Sequence, residues 1–459
     1  MSFPRYPKYK DSGAEWLGDV PAHWAVARIR HGVDTIEQGW SPQCEGEPVS
    51  SQDQWGVLKV GCVNGGTFDP SENKALPSDL QALPELGIRR GDVLISRANT
   101  RELVGSAAVP DIDHPNLLLC DKLYRLRLNV RATGAFVQRF LQSTGARGQI
   151  ELAASGASAS MVNISQEVIL GMACVWPPLE EQEAIATFLD RETAKIDALV
   201  AEQQRLVELL KEKRQAVISH AVTKGLNPDA PMKPSGVEWL GDVPAHWTIV
   251  DLKQVITGIG QGWSPQCESE PAAEGEWGVL KVGCVNGDQF DEHEQKALPA
   301  DVAPMREHEI RPGDILMSRG NTLDLVGMAA IVGNVRPRLL LSDLLYRFRS
   351  DPSRASAEFV AHSLRSVNVR AQLQANAVGT SASMKKVAQS VIREIVMPLP
   401  ALSEQVQVVQ LLGRQLSDLD ALTAEAERAI TLLQERRTAL ISAAVTGQID
   451  VRGAATEVA

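Results

Sequence analysis

The residues best suited to chemistry in this 459-residue chain are amides, guanidinium groups and hydroxyls, set in short segments that each occur twice. Gln38, Trp40, Ser41 and Gln43 return in the same order as Gln261, Trp263, Ser264 and Gln266. Ser96, Arg97, Asn99 and Thr100 return as Ser318, Arg319, Asn321 and Thr322. Lys59 and Asn64 return as Lys281 and Asn286, and a hydroxyl-rich segment carries Ser158 and Ser160 in one place, Ser381 and Ser383 in the other. A Gln or Asn amide can hydrogen-bond adenine bidentately, and Arg can do the same to guanine. Small hydroxyls and exposed amides suit phosphate. The chemistry on offer is therefore recognition of base edges and phosphates. Each segment also has a plainer reading: a turn around a core Trp, a strand-end turn with a paired Arg, a surface loop, or a solvated strand Lys.

The elements that must position these residues are themselves duplicated. Glu15 to Trp24 returns letter for letter as Glu238 to Trp247, and Trp55 to Gly65 as Trp277 to Gly287. A repeat of this length fixes the architecture before any local signal does. Each copy opens with short apolar runs punctuated by Gly, Pro and Asn, such as Gly56 to Val60, Asp92 to Ser96 and Asp314 to Ser318. These read as strands. Each copy then meets prolines and a long Gly-poor stretch. In the first, Ile185, Leu189, Ile196, Leu199, Leu206 and Leu210 follow a heptad-like spacing; in the second, Val408, Leu412, Leu419, Leu422, Leu433 and Leu440 do. Polar residues such as Glu192, Gln203, Gln415 and Arg436 interrupt both seams. Each stretch predicts a helix of about 40 residues, roughly 60 Å long.

One such helix alone would leave its apolar stripe in water, so the pair is expected to pack on each other. The fold class expected is α+β: two related globular α/β domains and two long helices forming an antiparallel coiled coil. The expected segments are a first globular domain (1–178), a first helix and linker start (179–225), a second globular domain (226–401), a second helix (402–447) and a tail (448–459). The duplication is also circular. Ala443 to Gly447 echoes the end of the first helix, so the two chain ends should lie near each other. Trp16, Trp24, Trp239 and Trp247, inside the repeated opening motif, are assigned to packing. The Asp-x-x-Tyr-Arg units at Asp121 and Asp343 are read as structural.

Composition bounds the function further. A 44% hydrophobic and 22% charged content is ordinary for a soluble globular protein. No run of about 18 uncharged apolar residues is present, so a cytoplasmic location without a membrane span is expected. Six scattered cysteines form no Cys-x-x-Cys pair, and free buried thiols are expected. The net charge of −11 argues against a general nucleic-acid binder but not against a local basic face. There is no phosphate-binding Gly-Lys-Ser/Thr loop, no His-Glu-x-x-His and no nucleophile elbow. The expectation is a chain that performs no catalysis and holds no cofactor or metal of its own.

Taken together and in order, these residues resemble the specificity subunit of type I restriction-modification systems, often called HsdS. The carriers are the Glu-Trp-Leu-Gly-Asp-Val-Pro-Ala-His-Trp opening, the Arg90 to Leu94 segment, Pro177, Pro178, Leu179, Glu181 and Gln182 leading into a long helix, and the Arg214 to Thr223 helix end repeated at Arg437 to Thr446. The resemblance covers essentially the whole chain. It implies that each globular domain reads one half of a bipartite double-stranded DNA site. It implies too that the helices act as a ruler and dock two methyltransferase subunits, through which restriction subunits join. S-adenosylmethionine, ATP and Mg²⁺ would then belong to those partners. The chain departs from the usual pattern in how alike its two halves are.

That likeness predicts an interrupted, near-palindromic site, because a two-fold protein meets its half-sites inverted. Two readers on one face of B-DNA sit about 10 bp apart, which leaves a spacer of about 5–7 bp. Positions where the copies differ, Ala98/Gly320, Arg101/Leu323, Lys122/Leu344 and Asn163/Lys386, would break the symmetry. The competing expectation is a duplicated coiled-coil scaffold that binds protein only.

Overall fold

The computed structural model describes residues 3–51, 53–158, 161–287, 289–381 and 384–453. The chain forms two units: Met1–Gln203 with Arg428–Ala459, and Gln204–Glu427.

In the first unit a four-stranded antiparallel sheet runs in the order Ala107–Ala108, Val93–Ser96, Leu123–Leu128, Val33–Gln38. A second, mixed sheet orders Asn73–Ala75, Gly56–Leu58, His114–Leu118 and Gly87–Ile88, with Leu117 and Leu118 parallel to Gly56 and Val57. A small third sheet joins Ser155–Ser158, Met161–Asn163 and Ala98–Asn99. The globular part is closed where Ala25–Arg28 pairs with Ala173–Trp176, near its beginning and its end. The second unit repeats this plan. Its main sheet orders Ile256–Gln261, Leu345–Ser350, Ile315–Ser318 and Ala329–Ile331, and its small third sheet joins Gly320–Asn321, Met384–Lys386 and Val378–Ser381.

The hydroxyl-rich segments, open to a loop reading from sequence, are hairpins. Their glycines let the two strands approach closely. A Cβ on Gly156 would meet the Met161 carbonyl oxygen at 2.4 Å, and one on Gly379 would meet that of Met384 at 2.5 Å.

The first long helix spans Leu179–Lys224 and the second Leu402–Val445, 46 and 44 residues. Both start beside prolines and stop at a left-handed glycine, Gly225 (φ +74°) and Gly447 (φ +75°). In the first unit Ile185, Phe188 and Leu189 share a core with Ile441, Ala444 and Val445, and Asp197 pairs with Arg437. In the second, Leu210, Ile218 and Val222 share a core with Val408, Leu412, Leu416 and Leu419, and Arg214 pairs with Asp420. Within each unit the helix segments therefore run antiparallel.

The seam is only partly the one expected. Ile185, Leu189, Ile196, Leu210, Val408, Leu412 and Leu419 are buried, and Leu433 and Leu440 half-buried. Leu199, Leu206 and Leu422 are instead 46%, 41% and 50% exposed. Thr193, Val207, Leu416 and Ala426 are buried where the heptad reading had not placed the seam. The helix ends are gripped by sheet-and-helix cores over a wide face, so a strict coiled-coil stripe does not describe them. Among the packing tryptophans, Trp24 and Trp247 are fully buried, but Trp239 is exposed. Trp16 leans on Phe140; the second copy has Ser363 at that place in its helix.

The chain ends meet in the first unit. The Asp450 amide donates to the Pro4 carbonyl at 2.8 Å, and the Tyr9 hydroxyl to that of Gly447 at 2.9 Å. All six cysteines are free thiols. Among the described residues no helix is long and apolar enough to cross a membrane.

Candidate nucleic-acid interface

In each unit the repeated polar segments, scattered along the sequence, converge on one aspartate. In the first, Gln38 Nε2 donates to the Asp121 carbonyl at 3.1 Å, Ser41 Oγ donates to the Asp121 carboxylate at 2.5 Å, and Arg97 Nη1 reaches the Asp121 carbonyl at 3.4 Å. In the second, Ser264 donates to the Asp343 carboxylate and Arg319 Nη1 reaches the Asp343 carbonyl at 3.4 Å. Gln38 and Gln261 end the outer strand of the main sheet, and both are exposed.

The approach of these loops is possible only with glycine. A Cβ on Gly39 would sit 2.0 Å from the Leu119 carbonyl oxygen, and one on Gly262 would sit 2.1 Å from that of Leu341. Next to them, the Trp40 and Trp263 amides donate to those same carbonyls, and both rings pack half-buried on apolar clusters. The two tryptophans thus fix the loop rather than offer a free ring.

A second convergence joins asparagines from different segments. Asn99 Nδ2 donates to Asn64 Oδ1 at 3.3 Å, and Asn321 Nδ2 to Asn286 Oδ1 at 2.9 Å. The oxygens of Asn99 and Asn321 accept the next amides, Thr100 and Thr322, at 2.9 Å each. An amide carries two N–H donors. Each pair therefore keeps donors in reserve on a rigid, exposed or half-exposed platform. The Asn99 strand pairs with Met161–Asn163, and that with Ser155–Ser158, so the hydroxyl-rich hairpin joins the same region. Ser160 and Ser383 lie outside the described residues, as do the side chains of Ser158 and Ser381.

Other residues take different places. Ser96 and Ser318 are fully buried, and their hydroxyls donate to the Leu103 and Leu325 carbonyls at 2.7 Å. They close the turn that aims Arg97 and Arg319 and are not presented to a ligand. Lys59 and Lys281 are half-buried where 3₁₀ helices begin, a few residues before Asn64 and Asn286. Gln43 and Gln266 are exposed at the far end of their loop.

Asp121 and Asp343 were visible in both copies, yet sequence reasoning left them out of the site; their role as the node depends on loop contacts no spacing reveals. Tyr124 and Tyr346 in the same units are structural, their hydroxyls donating to the Ile164 and Val387 carbonyls. The copies differ in charge at the small sheet. Lys385 and Lys386 pair with Asn321 and Gly320, where the first copy has Val162 and Asn163 against Asn99 and Ala98.

No protein-family profile matches the chain. It is 22% identical over 445 residues to the type I restriction enzyme EcoKI specificity subunit of Escherichia coli K12, covering 94% of this chain and 90% of that subunit. The chain is a relative of the type I restriction enzyme specificity subunits. The EcoEI specificity subunit of Escherichia coli is 29% identical over 204 residues, which spans 44% of this chain and 34% of that protein's length. A solved chain described under the assembly and conformational transition of the type I restriction-modification system superposes with a TM-score of 0.66 at 17% identity, covering 93% of this chain and 98% of that one. The α+β fold with its long helices is thereby that of the solved type I restriction-modification chain. The two convergent clusters sit on this shared fold, one in each unit.

Proposed function

We propose that this chain is the DNA-specificity subunit of a type I restriction-modification complex and that it reads a bipartite, interrupted, near-palindromic site. One observation carries the reading. In each unit a hydroxyl and a guanidinium from separate segments are held in the same arrangement around Asp121 or Asp343, beside the Asn99–Asn64 or Asn321–Asn286 amide pair. Rigidly held Arg and Asn donors are the equipment of base-edge readout, and like readers select like half-sites.

The chain serves as reader and scaffold, and the chemistry falls to its partners. S-adenosylmethionine, ATP and Mg²⁺ are held by methyltransferase and restriction subunits, and the assembly works in the cytoplasm. Leu199, Leu206, Leu209, Leu422 and Leu432 are exposed on the long helices. These side chains are assigned to the methyltransferase dock.

The test is modification-sensitive sequencing of DNA from cells carrying this chain and its methyltransferase, against cells lacking it. A methylated motif with two similar inverted halves and a fixed gap is the expected result. Unrelated halves would remove the near-palindrome and leave the specificity role. Loss of no motif would remove both and favour a protein-only scaffold.

A further inference from the structure

The two copies differ most tellingly at one buried arginine. In the first, Arg125 is 1% exposed, and its Nε and Nη2 both donate to the Glu37 carboxylate across the strand pair. Its remaining bonds go to the Gly87 and Glu85 carbonyls at 2.8 and 2.9 Å. In the second copy Arg347 keeps the carbonyl bonds, to Glu309 at 2.7 Å and Glu307 at 2.9 Å. Across the strand from it stands Gly260, not a glutamate. The side chain is 26% exposed. Its Nη1 keeps the long contact to Asp314, at 4.0 Å, that Arg125 makes to Asp92 at 3.9 Å, but the donors that Glu37 satisfies in the first copy face no carboxylate from that strand.

What replaces the carboxylate is space. A cavity of about 340 Å³ opens there, lined by Arg306, Arg311, Arg347 and Arg349 together with Glu307, Glu309 and Asp314. Arg306 is itself a change, standing where the first copy has Pro84. The second copy thus sets four guanidinium groups against three carboxylates. The matching positions of the first, Arg89, Arg125 and Arg127 against Glu37, Glu85 and Asp92, balance at three each. Two of the second copy's carboxylates are already committed. Asp314 accepts from Arg349 at 2.7 Å and from the Arg311 amide at 2.8 Å, and Glu309 accepts from the Arg338 amide at 2.8 Å.

We propose that this cavity is an anion site, present in the second unit alone, that takes a phosphate group on the fork of Arg347 with Arg306 beside it. The guanidinium fork matches the oxygens of a phosphate, and pairing there needs no proton transfer. The loss of Glu37's counterpart and the gain of Arg306 act in the same direction. The phosphate is either one of the DNA backbone or a free anion, and the same variants distinguish the two.

The probe is inorganic phosphate, titrated calorimetrically into the full chain at low ionic strength. Phosphate binding needs no DNA, so it stands or falls apart from the proposed specificity role. The wild type is expected to bind one equivalent. Gly260→Glu, whose Cβ meets nothing within 4 Å, restores the missing carboxylate and is expected to weaken binding at least tenfold with unchanged melting. Glu37→Gly is expected to add a second equivalent by freeing Arg125. Arg347→Gln gives an independent loss. Absence of phosphate binding, or binding that Gly260→Glu leaves unchanged, overturns the proposal. With duplex DNA, a Gly260→Glu slope of log affinity against log salt shallower by about one assigns the phosphate to the backbone. An unchanged slope with phosphate still bound assigns it to a free anion.

Discussion

Glu181 accepts the indole N–H of Trp24 at 2.9 Å across 157 residues of chain, and Glu404 does the same for Trp247 at 3.1 Å. The repeated opening motif and the repeated Pro-Pro-Leu-x-Glu-Gln or Pro-x-x-x-Glu-Gln step are thus two halves of one joint. The neighbouring glutamine completes it. Gln182 accepts the Thr133 amide and donates to the Arg131 and Pro177 carbonyls, all at 2.9 Å, and Gln405 does likewise with Ser356, Arg354 and Pro400. Glu181 and Glu404 also hold His23 and His246, at 2.7 and 2.9 Å, and in the first unit Glu181 further takes the Tyr6 hydroxyl at 3.2 Å, with Arg452 at 3.9 Å. Burial, then the Glu181 charge, push the Tyr6 hydroxyl well above the usual phenol range.

From this joint, Glu181→Ala is expected to destabilise the first unit by about 2–3 kcal/mol, since it strands buried donors. Glu404→Ala, with fewer partners and a more exposed carboxylate, is expected to cost about 1 kcal/mol. Glu181→Gln, which keeps an acceptor for Trp24, should fall between wild type and Glu181→Ala. Calorimetric melting of the three variants checks the order, and equal effects of Glu181→Ala and Glu404→Ala would refute it.

The parts legible in the sequence were those written as repeats or as one-dimensional periodicity. Trp24, Trp247, Glu181 and Gln182 stood out because they recur, although their mutual bonds did not. Ile185, Leu189, Val408 and Leu412 obeyed the helical period. Leu199, Leu206 and Leu422 obeyed it too and are exposed, because spacing marks a face and not what covers it. Ser96 and Ser318 show a different limit. They close runs in which all four strand residues are buried, so the polar letter belonged to the turn's internal bonding. Asp121 became the node of the site only through contacts with loops 24 and 80 residues away.

The arginines beside that node should carry DNA affinity. Arg97→Ala and Arg319→Ala are each expected to weaken binding of the assembled complex to its site by roughly ten- to a hundredfold, about 1–3 kcal/mol. Discrimination should relax in one half-site only. Asn99→Ala and Asn321→Ala should act alike on the neighbouring base. The second half-site should also respond more steeply to salt, since Lys385 and Lys386 flank Asn321. Fluorescence anisotropy with half-site-mutated duplexes reads all of this. Unaltered affinity in both arginine variants would remove these side chains from the interface.

The helix surface separates stability from assembly. Leu412, fully buried beside Val408 and Leu416, should cost about 2–5 kcal/mol when truncated to alanine. Leu199→Ser and Leu422→Ser, at exposed positions, should change stability by no more than about 0.5 kcal/mol. Their effect is expected instead on methyltransferase capture, read by analytical ultracentrifugation of the reconstituted complex. Wild-type assembly by the Leu199→Ser/Leu422→Ser double variant would show that these side chains are not part of the dock.

His362 gives the second unit a pH dependence of its own. Its ring is mostly buried, and Nδ1 has no hydrogen-bond partner. Burial first, then the positive charges of Arg365 on its own helix and Arg214 on the first long helix, lower its pKa from 6.5 to about 4. Glu358, one turn earlier, lines the same cavity and is the carboxylate beside it. The unfolded chain therefore binds a proton near pH 6.5 that the folded unit refuses until about pH 4. Stability is fully present above 6.5 and declines as pH falls through that window, by about 3 kcal/mol at most. The first copy has Arg139 at this position, paired with Asp190 at 2.6 Å. Denaturant melts of wild type and His362→Leu isolate the effect, because acid acts on every other group equally in both. The variant's advantage should grow between pH 7 and pH 4.5 and be confined to the second unit's transition. A difference independent of pH would mean that the ring titrates alike in the folded and the unfolded chain and would refute the prediction.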